Sequence, residues 1–228
     1  MPSSAGMWCH QSLGNSIQTV DGGGAVTTVH RMQKGVHTAF TVREPDWAVR
    51  QWAAVLLRRG CRRVLDVGCG SGRHTVLLAR LGLAVVGGDL APVALTETAL
   101  WLAREGLQAG LALLEMTELP FPDGAFDAVL SVNVLHPANP AQARAAVGEV
   151  WRVLRPGGLF LAVLADAGDC RCLLERPVAL SLHQPGCPHP AVGGHLEGLF
   201  AGFRILGTQR QPRKQTAVNW RVWAERPG

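Results

Sequence analysis

The chain has 228 residues, of which 47% are hydrophobic and 17% are charged, a composition that argues against a largely disordered protein and allows one α/β domain with a full core. The formal net charge is +5, carried by twenty arginines and two lysines, yet no run of basic residues is longer than two. This charge permits an anionic partner such as RNA, but arginines scattered over the surface are the preferred interpretation, so nucleic acid is the less favoured partner.

Six cysteines are too few for a disulfide scaffold in a domain of this size. The N-terminus lacks the basic region and apolar core of a signal peptide, and no apolar stretch reaches the ~20 residues that a membrane span needs. We therefore expect a cytoplasmic protein without a membrane span. The sequence leaves the oligomeric state open.

Residues 1–40 are rich in Ser, Gly and Thr and show no sustained period, which predicts a poorly ordered tail or a lid over a site. The rest, 41–228, is predicted to form a single domain. Apolar runs predict strands over 62–67, 83–89, 111–115, 125–133 and 159–164. Helical spacing with proline at the start or glycine at the end predicts helices over 43–60, 73–82, 92–106 and 139–158.

The last part of the chain has a different pattern. Residues 165–200 hold Cys, Pro, Gly and His with little period, apart from a candidate short helix over 191–202, and two further strands are expected over 203–211 and 216–226. Strands that alternate with helices imply a parallel sheet covered on both faces. The predicted fold class is therefore α/β, a doubly wound, mostly parallel seven-stranded sheet with a C-terminal antiparallel hairpin.

The stretch VLDVGCGSGRHT, residues 64–75, places a glycine-rich turn between a predicted strand and a predicted helix. Its glycines, Gly68, Gly70 and Gly72, have the spacing G-x-G-x-G, which is neither the dinucleotide fingerprint nor a P-loop. The carboxylate of Asp66 before the turn would repel a pyrophosphate but would suit a ligand with a cationic amino group. S-adenosylmethionine carries such a group together with a sulfonium.

A second carboxylate stands at the predicted end of the next strand. Asp89 follows Asp66 by 23 residues, and an acid at this place can accept hydrogen bonds from both ribose hydroxyls of a nucleoside. The two acids with the glycine turn between them predict a ligand site at the carboxyl ends of the strands.

Four segments in this order and spacing resemble the successive motifs of class I S-adenosylmethionine-dependent methyltransferases, in the small-molecule branch that includes quinone-biosynthesis methyltransferases. They are VLDVGCGSGRHTVLLA, VVGGDLAPVAL, LLEMTELPFPDGAFDAVLSVNVLH and EVWRVLRPGGLFLAVL. The resemblance covers about residues 62–164, which would form the cofactor-binding core of a Rossmann-like fold. Residues 165–200 would then be a substrate-side insertion.

The resemblance implies roles for residues around the first two strands. Asp66, Gly68 and Gly70 would surround the methionine part of S-adenosylmethionine, with Asp66 on its amino group directly or through water. Asp89 would hold the ribose, and Leu90 would pack on the adenine.

The resemblance also implies roles further along the chain. Glu115 would reach the adenine amino group, Met116 would supply a backbone amide beside it, and Asn133 would line the space between cofactor and substrate. Two residues depart from the family pattern: Glu115 stands where aspartate is usual, and Gly88 stands where an apolar residue is usual and could loosen the second strand.

His136 is the candidate general base, because it follows the fourth strand and an unperturbed histidine has a pKa of ~6.5. The alternative, a ring that packs beside the cofactor or caps the next helix, is slightly preferred. His74, in the predicted helix over 73–82, is a weaker candidate. His37 and Arg43 would reach the substrate only if the N-terminal segment folds over as a lid.

A cluster of cysteines and histidines lies in the predicted insertion: Cys170, Cys172, His183, Cys187 and His189. Zinc or a thiophilic substrate could bind such residues, but their spacing is not that of a zinc finger, so an ordinary loop is preferred and no metal site is predicted.

These observations predict methyl transfer from S-adenosylmethionine to a small-molecule acceptor by in-line displacement. Two alternatives stay open: a methyltransferase acting on RNA or protein, and a non-catalytic S-adenosylmethionine-binding protein. The sequence does not identify the acceptor.

Overall fold

A computed structural model describes residues 18–20, 26–28, 43–135, 140–165, 198–212 and 218–228. Nine strands and four helices are found in these ranges. The strands are β1 (Gln18–Val20), β2 (Val26–Thr28), β3 (Arg63–Val67), β4 (Ala84–Asp89), β5 (Gly110–Leu113), β6 (Phe126–Val132), β7 (Leu154–Ala165), β8 (Arg204–Pro212) and β9 (Val218–Glu225). The helices are α1 (Trp47–Arg58), α2 (Arg73–Arg80), α3 (Pro92–Arg104) and α4 (Pro140–Val153).

Seven of the strands form one sheet in the order β5-β4-β3-β6-β7-β9-β8. The pairs from β5 to β7 are parallel, and β9 pairs antiparallel with both β7 and β8. The chain therefore runs outward from β3 in one direction, returns to β6, and continues in the other direction. This topology confirms the predicted doubly wound sheet with its C-terminal hairpin.

The start of α1 differs from the prediction. The helix begins at Trp47 instead of residue 43, because the side chain of Asp46 accepts a hydrogen bond from the Ala48 amide at 2.9 Å and caps the first turn. Pro45 therefore precedes the cap and is not a residue of the first turn.

The end of α4 also differs. The helix stops at Val153 and β7 begins at Leu154, five residues before the predicted start of this strand. Leu154 pairs with Phe126, and the register shifts before Leu159 pairs with Ala128. The Pro-Gly-Gly stretch that was predicted to end the helix therefore lies in an irregular first part of β7.

Two apolar clusters cover the two faces of the sheet. Alternate residues of β7 separate them: Phe160, Ala162 and Leu164 lie in one cluster, and Leu159, Leu161 and Val163 lie in the other. The first cluster contains the buried face of α4 and Phe200, and the second contains the buried face of α1. Both faces are thus shielded from water, as the continuous apolar strands predict.

The remaining predictions fall mainly outside the described residues. The short segments β1 and β2, within the predicted N-terminal tail, pair antiparallel, but the rest of residues 1–40 is not described. Of the candidate helix over 191–202, only 198–202 is described. In the described ranges, no helix is both long and apolar enough to cross a membrane.

Candidate functional site at the carboxyl edge of the sheet

Three predicted site residues lie at or near the carboxyl ends of adjacent parallel strands. Asp66 is the penultimate residue of β3, Asp89 ends β4, and Asn133 follows β6. Because β4, β3 and β6 are neighbours in the sheet, these residues share one edge. Doubly wound sheets bind their ligands at this edge.

The glycine turn between β3 and α2 has the left-handed backbone that only glycine adopts readily. The φ angles of Gly68, Gly70 and Gly72 are +72°, +56° and +88°. A Cβ on Gly68 would lie 2.1 Å from Val134, and one on Gly72 would lie 2.6 Å from Thr98, whereas one on Gly70 would meet nothing within 4 Å. Gly68 and Gly72 therefore serve the packing of the turn, and Gly70 faces open space.

Four hydrogen bonds fix the turn. The amides of Gly68 and Cys69 donate to the carbonyl oxygen of Gly88 at 2.7 and 2.9 Å. The amide of Gly70 donates to Oδ2 of Asp89 at 2.8 Å, and its carbonyl oxygen accepts from the hydroxyl of Thr98 at 2.9 Å. The glycine turn is thus tied to both β4 and α3.

Asp66 lies beneath the turn and is 1% exposed. Its Oδ2 accepts a hydrogen bond from the hydroxyl of Thr75 at 2.7 Å. Burial raises the pKa of Asp66 to about 6; the hydrogen bond from Thr75 opposes this shift, and the negative charge of Asp89 adds to it. A cationic ligand group near Asp66 would favour the ionised form of its carboxylate.

Sequence reasoning missed Thr75 and Thr98. Both are fully buried polar residues within helices α2 and α3, and each hydroxyl donates to a group of the site. A threonine on the apolar face of a predicted helix is the signal that could have found them, because a buried hydroxyl needs a hydrogen-bond partner.

The side of the site that follows β4 carries exposed apolar side chains. Leu90, directly after Asp89, is 66% exposed, and Val93 in the first turn of α3 is 48% exposed. Glu115 and Met116 follow β5 on the far side of β4; Glu115 is exposed, and its Oε1 lies 3.4 Å from the donating amide of Thr117. Exposed leucine and valine side chains beside a strand end offer a surface on which a flat ring can pack.

Asn133 has a positive φ of 59°, which is uncommon for a residue other than glycine. Its amide donates to the carbonyl oxygen of Val163 at 2.9 Å, which anchors the residue between β6 and β7. Its side-chain Oδ1 is buried and has no hydrogen-bond partner in the described part of the chain. Asn133 thus presents an acceptor atom at the same edge as the two carboxylates.

Two residues near the turn can be assigned structural roles. His74 is 3% exposed, its Nε2 accepts a hydrogen bond from the Asp46 amide at 3.2 Å, and burial lowers its pKa to about 3. With this lone pair engaged, His74 is not available as a base. Burial also raises the pKa of the Cys69 thiol, so this residue is no nucleophile at neutral pH.

Gly88 does not loosen β4 in the way that its sequence position suggested. A Cβ at Gly88 would lie 2.2 Å from Cδ2 of Leu114, so the space of the missing side chain is filled by that leucine. The expected weakening of the strand is therefore offset by close packing.

Several candidates lie outside the described residues. These are the possible base His136, the lid residue His37 and the cluster Cys170, Cys172, His183, Cys187 and His189. Arg43 is described, and its guanidinium lies over the ring of Trp101, 5.3 Å from the ring centroid.

Comparison of the sequence with known proteins identifies the family of this chain. A family model described as a methyltransferase domain matches residues 64–158, which run from β3 into β7. A demethylmenaquinone methyltransferase of Thermus thermophilus is 36% identical over 166 residues, covering 69% of this chain and 70% of that protein. An uncharacterized methyltransferase of Synechocystis is 41% identical over 102 residues, covering 45% of this chain but only 46% of its own length. The chain thus spans less than half of some relatives that it matches.

A solved structure shows the same architecture. The 1,6-didemethyltoxoflavin-N1-methyltransferase of Burkholderia thailandensis, with 1,6-didemethyltoxoflavin and S-adenosylhomocysteine bound, superposes with a TM-score of 0.58. The match covers 80% of this chain and 79% of that one at 21% identity, so it concerns the fold. Taken together with the Thermus relative, these findings show that the chain belongs to the class I S-adenosylmethionine-dependent methyltransferases.

Proposed function

We propose that this protein transfers the methyl group of S-adenosylmethionine to a small-molecule acceptor by in-line displacement. The observation that carries the proposal is the open space at Gly70, in a turn that follows Asp66 and whose Gly70 amide donates to the carboxylate of Asp89. Glycine at this point lets a ligand approach the backbone, and the two acids favour a cationic one.

The polar and apolar groups of the site suit the chemistry of S-adenosylmethionine. Asp66 and the turn at Gly70 would take the methionine end, since a buried carboxylate with a raised pKa is stabilised in its ionised form by a nearby ammonium group. Asp89 would accept hydrogen bonds from the ribose hydroxyls. Leu90 would cover the adenine with a side chain that is now 66% exposed.

The cofactor supplies, when bound, a methyl group that is already activated on a sulfonium. The protein must then hold the acceptor in line with this group and exclude water, an alignment that can lower a barrier by up to ~7–11 kcal/mol. Asn133 would contribute to this alignment. Its buried Oδ1 has no hydrogen-bond partner among the described residues and could accept a hydrogen bond from a donor group of the substrate. His136 stands three residues further and is the candidate base for a hydroxyl or amine acceptor.

A small-molecule acceptor is favoured by the relative from Thermus, whose name states that it acts on demethylmenaquinone and which matches this chain over 70% of its own length. An RNA or protein acceptor is the alternative that the experiment must separate.

The first experiment is calorimetry with S-adenosylhomocysteine on the wild type, on Asp89→Ala and on Asp123→Ala. Asp123 is a matched control, because its side chain is 80% exposed and it precedes β6, at the opposite edge of the sheet. The wild type and the control should bind alike, and Asp89→Ala should bind at least ~10-fold more weakly, since hydrogen bonds to a charged group contribute ~1.5–3 kcal/mol. Absence of binding by the wild type would overturn the proposal.

The second experiment identifies the acceptor class. The protein is incubated with donor labelled in the methyl group, together with separate small-molecule and RNA fractions of a cell extract. Label in the small-molecule fraction is expected. Label only in RNA would overturn the small-molecule assignment, and binding of the cofactor without any transfer would favour a non-catalytic role.

A further inference from the structure

The first residues of β9 carry polar groups at the carboxyl edge that the cofactor site does not use. Because β9 is antiparallel to β7, its beginning lies beside the end of β7: Asn219 is paired with Ala165, and Arg221 with Val163. In the order β6-β7-β9, this point is two strands from Asn133, or ~10 Å at the usual strand spacing of ~4.8 Å. A small acceptor held at Asn133 could therefore reach β9 with its far end.

Arg221 is a buried cation with one unpartnered terminal nitrogen. The residue is 2% exposed, its Nη2 lies 3.0 Å from Oδ2 of Asp46, and its guanidinium lies over the ring of Trp47, 4.8 Å from the centroid. The other terminal nitrogen, Nη1, is buried and finds no hydrogen-bond partner among the described residues. A buried donor without a partner is destabilising, and an acceptor atom from a ligand would remove this cost.

Asn219 supplies the complementary group. It is 7% exposed, and its Oδ1 is buried without a hydrogen-bond partner in the same described ranges. Residues 219 and 221 alternate with 220 along β9, so both side chains lie on the face of the sheet that α1 covers. An unpartnered donor nitrogen and an unpartnered acceptor oxygen thus belong to residues two positions apart on the same face of β9.

The charges around the pair decide which ligand fits. Asp46 already neutralises Arg221, and His74, whose Nε2 accepts from the Asp46 amide, is uncharged at neutral pH. A carboxylate or phosphate would place a second buried negative charge beside Asp46. A hydroxyl group instead offers a lone pair to Nη1 and a proton to Oδ1 without changing the charge.

We propose that Asn219 and Arg221 form a subsite that binds a hydroxyl group of the methyl acceptor, which is therefore a neutral alcohol or phenol. This inference rests on the proposed methyltransferase function. The two residues would set specificity and position the acceptor, while the reacting atom lies at the other end of the molecule, above β6.

Three one-ring probes test the subsite on protein saturated with S-adenosylhomocysteine, with binding followed by ligand-observed NMR. Phenol can both donate and accept, anisole can only accept, and benzoate brings a negative charge. Phenol should bind with a millimolar Kd, and the other two at least ~5-fold more weakly, which corresponds to ~1 kcal/mol for one lost hydrogen bond.

Two variants locate the binding. Asn219→Leu removes the acceptor atom at similar size, and Arg221→Lys keeps the charge beside Asp46 but lacks the second terminal nitrogen. Each should weaken phenol binding ~5-fold or more and leave S-adenosylhomocysteine binding unchanged. Gln108→Leu, an exposed residue near the start of β5, is the matched control and should change neither.

The outcomes separate the two proposals. If S-adenosylhomocysteine binds but phenol does not, or if benzoate binds as well as phenol, the subsite is overturned while the cofactor site stands. Equal phenol binding by Asn219→Leu and wild type, or a crystal structure of the phenol-soaked complex with only a water molecule between Nη1 and Oδ1, would also overturn it. If S-adenosylhomocysteine itself fails to bind, both proposals fall.

Discussion

The amide of Gly70 donates a hydrogen bond to Oδ2 of Asp89 at 2.8 Å, so the glycine turn after β3 and the carboxylate that ends β4 form one unit. The other oxygen, Oδ1, accepts from the amide of Ala91 at 2.9 Å. A carboxylate has about four lone-pair sites, so these two bonds fix its orientation and leave the remaining sites for a ligand. The part of the site that would hold a ribose is thus oriented by the fold itself.

Alanine at Gly70 and alanine at Gly68 should have different effects. Both residues have positive φ, so each variant carries backbone strain of ~1–2 kcal/mol. At Gly70 the new methyl group meets no protein atom, so Gly70→Ala should fold and bind S-adenosylhomocysteine at least ~10-fold more weakly, because the methyl group occupies ligand space. At Gly68 it would lie 2.1 Å from Val134, so Gly68→Ala should lose a further ~1–3 kcal/mol of stability.

Urea denaturation and calorimetry distinguish the two effects. A Gly70→Ala variant that binds S-adenosylhomocysteine like the wild type would show that the ligand does not occupy the space at Gly70. Equal losses of stability in both variants would contradict the tight contact at Val134.

Cofactor binding should depend on pH through Asp66. Burial raises the pKa of its carboxyl to about 6, so a large fraction of the unliganded protein holds it protonated at about pH 5 and ionised at about pH 8. A cationic amino group binds better next to the ionised form. The affinity for S-adenosylhomocysteine should therefore rise ~10-fold from about pH 5 to about pH 8, with proton release visible in buffers of different ionisation enthalpy.

Asp66→Asn removes the titrating group and should abolish this rise while binding more weakly at the upper pH. The stability of the unliganded protein gives an independent check. The folded-state pKa lies above the unfolded value of ~3.9, so the contribution of Asp66 to stability is present below about pH 4 and is lost as the pH rises to about 6. The difference in unfolding free energy between wild type and variant should change in this window only.

The sheet could be predicted because its strands and helices are indicated by patterns within short stretches of the sequence. Largely apolar strands such as 159–164 and 126–132 alternate with helices of amphipathic spacing, and Asp66 and Asp89 mark two strand ends in the sequence itself. The element boundaries differ from the prediction where a capping side chain or an irregular pairing overrides the local pattern. The cap at Asp46 makes α1 begin four residues after its predicted start. The irregular pairing of β6 with β7 places Leu154 in the sheet, ahead of the Pro-Gly-Gly stretch.

The contacts that complete the site are long-range, and this is why the sequence did not reveal them. Arg221 pairs with Asp46 from 175 positions away, and Thr98 reaches the carbonyl of Gly70 across 28 positions. In the sequence, none of these residues has a neighbouring residue that indicates its partner. Only the order of the strands, with β9 between β7 and β8, brings Arg221 to the carboxyl edge.

The ion pair of Arg221 and Asp46 should contribute strongly to stability because it is buried. Its side chains are 3% and 16% exposed, so Arg221→Met leaves the Asp46 carboxylate without its cation and should cost ~3–5 kcal/mol. Adding Asp46→Asn to this variant should recover part of the loss, since asparagine still caps α1 and carries no charge. Arg50→Met is the control: Arg50 pairs with Glu44 with side chains 52% and 85% exposed, and its loss should cost less than ~1 kcal/mol.

These free energies can be measured by urea denaturation without any ligand. A cost for Arg221→Met that equals the cost for Arg50→Met would contradict a buried, mutually dependent pair. An Arg221→Met variant that gains nothing from Asp46→Asn would show that packing against Trp47, and not the charge of Asp46, makes Arg221 important.

Gly88 and Leu114 should behave as a coupled pair. In Gly88→Ala the new methyl group would lie 2.2 Å from Leu114, so this variant should lose ~1–3 kcal/mol through overpacking. Leu114→Ala alone should lose ~2–5 kcal/mol through the cavity that it leaves. In the double variant the added methyl group enters the vacated space, so the combined loss should be smaller than the sum by ~1 kcal/mol or more.

The same pair reports on the glycine turn, because the carbonyl oxygen of Gly88 accepts the amides of Gly68 and Cys69. A displaced β4 in Gly88→Ala should move the turn and weaken S-adenosylhomocysteine binding, and Leu114→Ala should restore it in the double variant. Leu56→Ala is the matched control, since Leu56 is buried in the other apolar cluster and its effect should add to that of Gly88→Ala within ~0.5 kcal/mol. Additive stability losses for Gly88 and Leu114 would mean that the leucine does not fill the place of the missing side chain, and unchanged ligand binding in Gly88→Ala would mean that the turn does not depend on the position of β4.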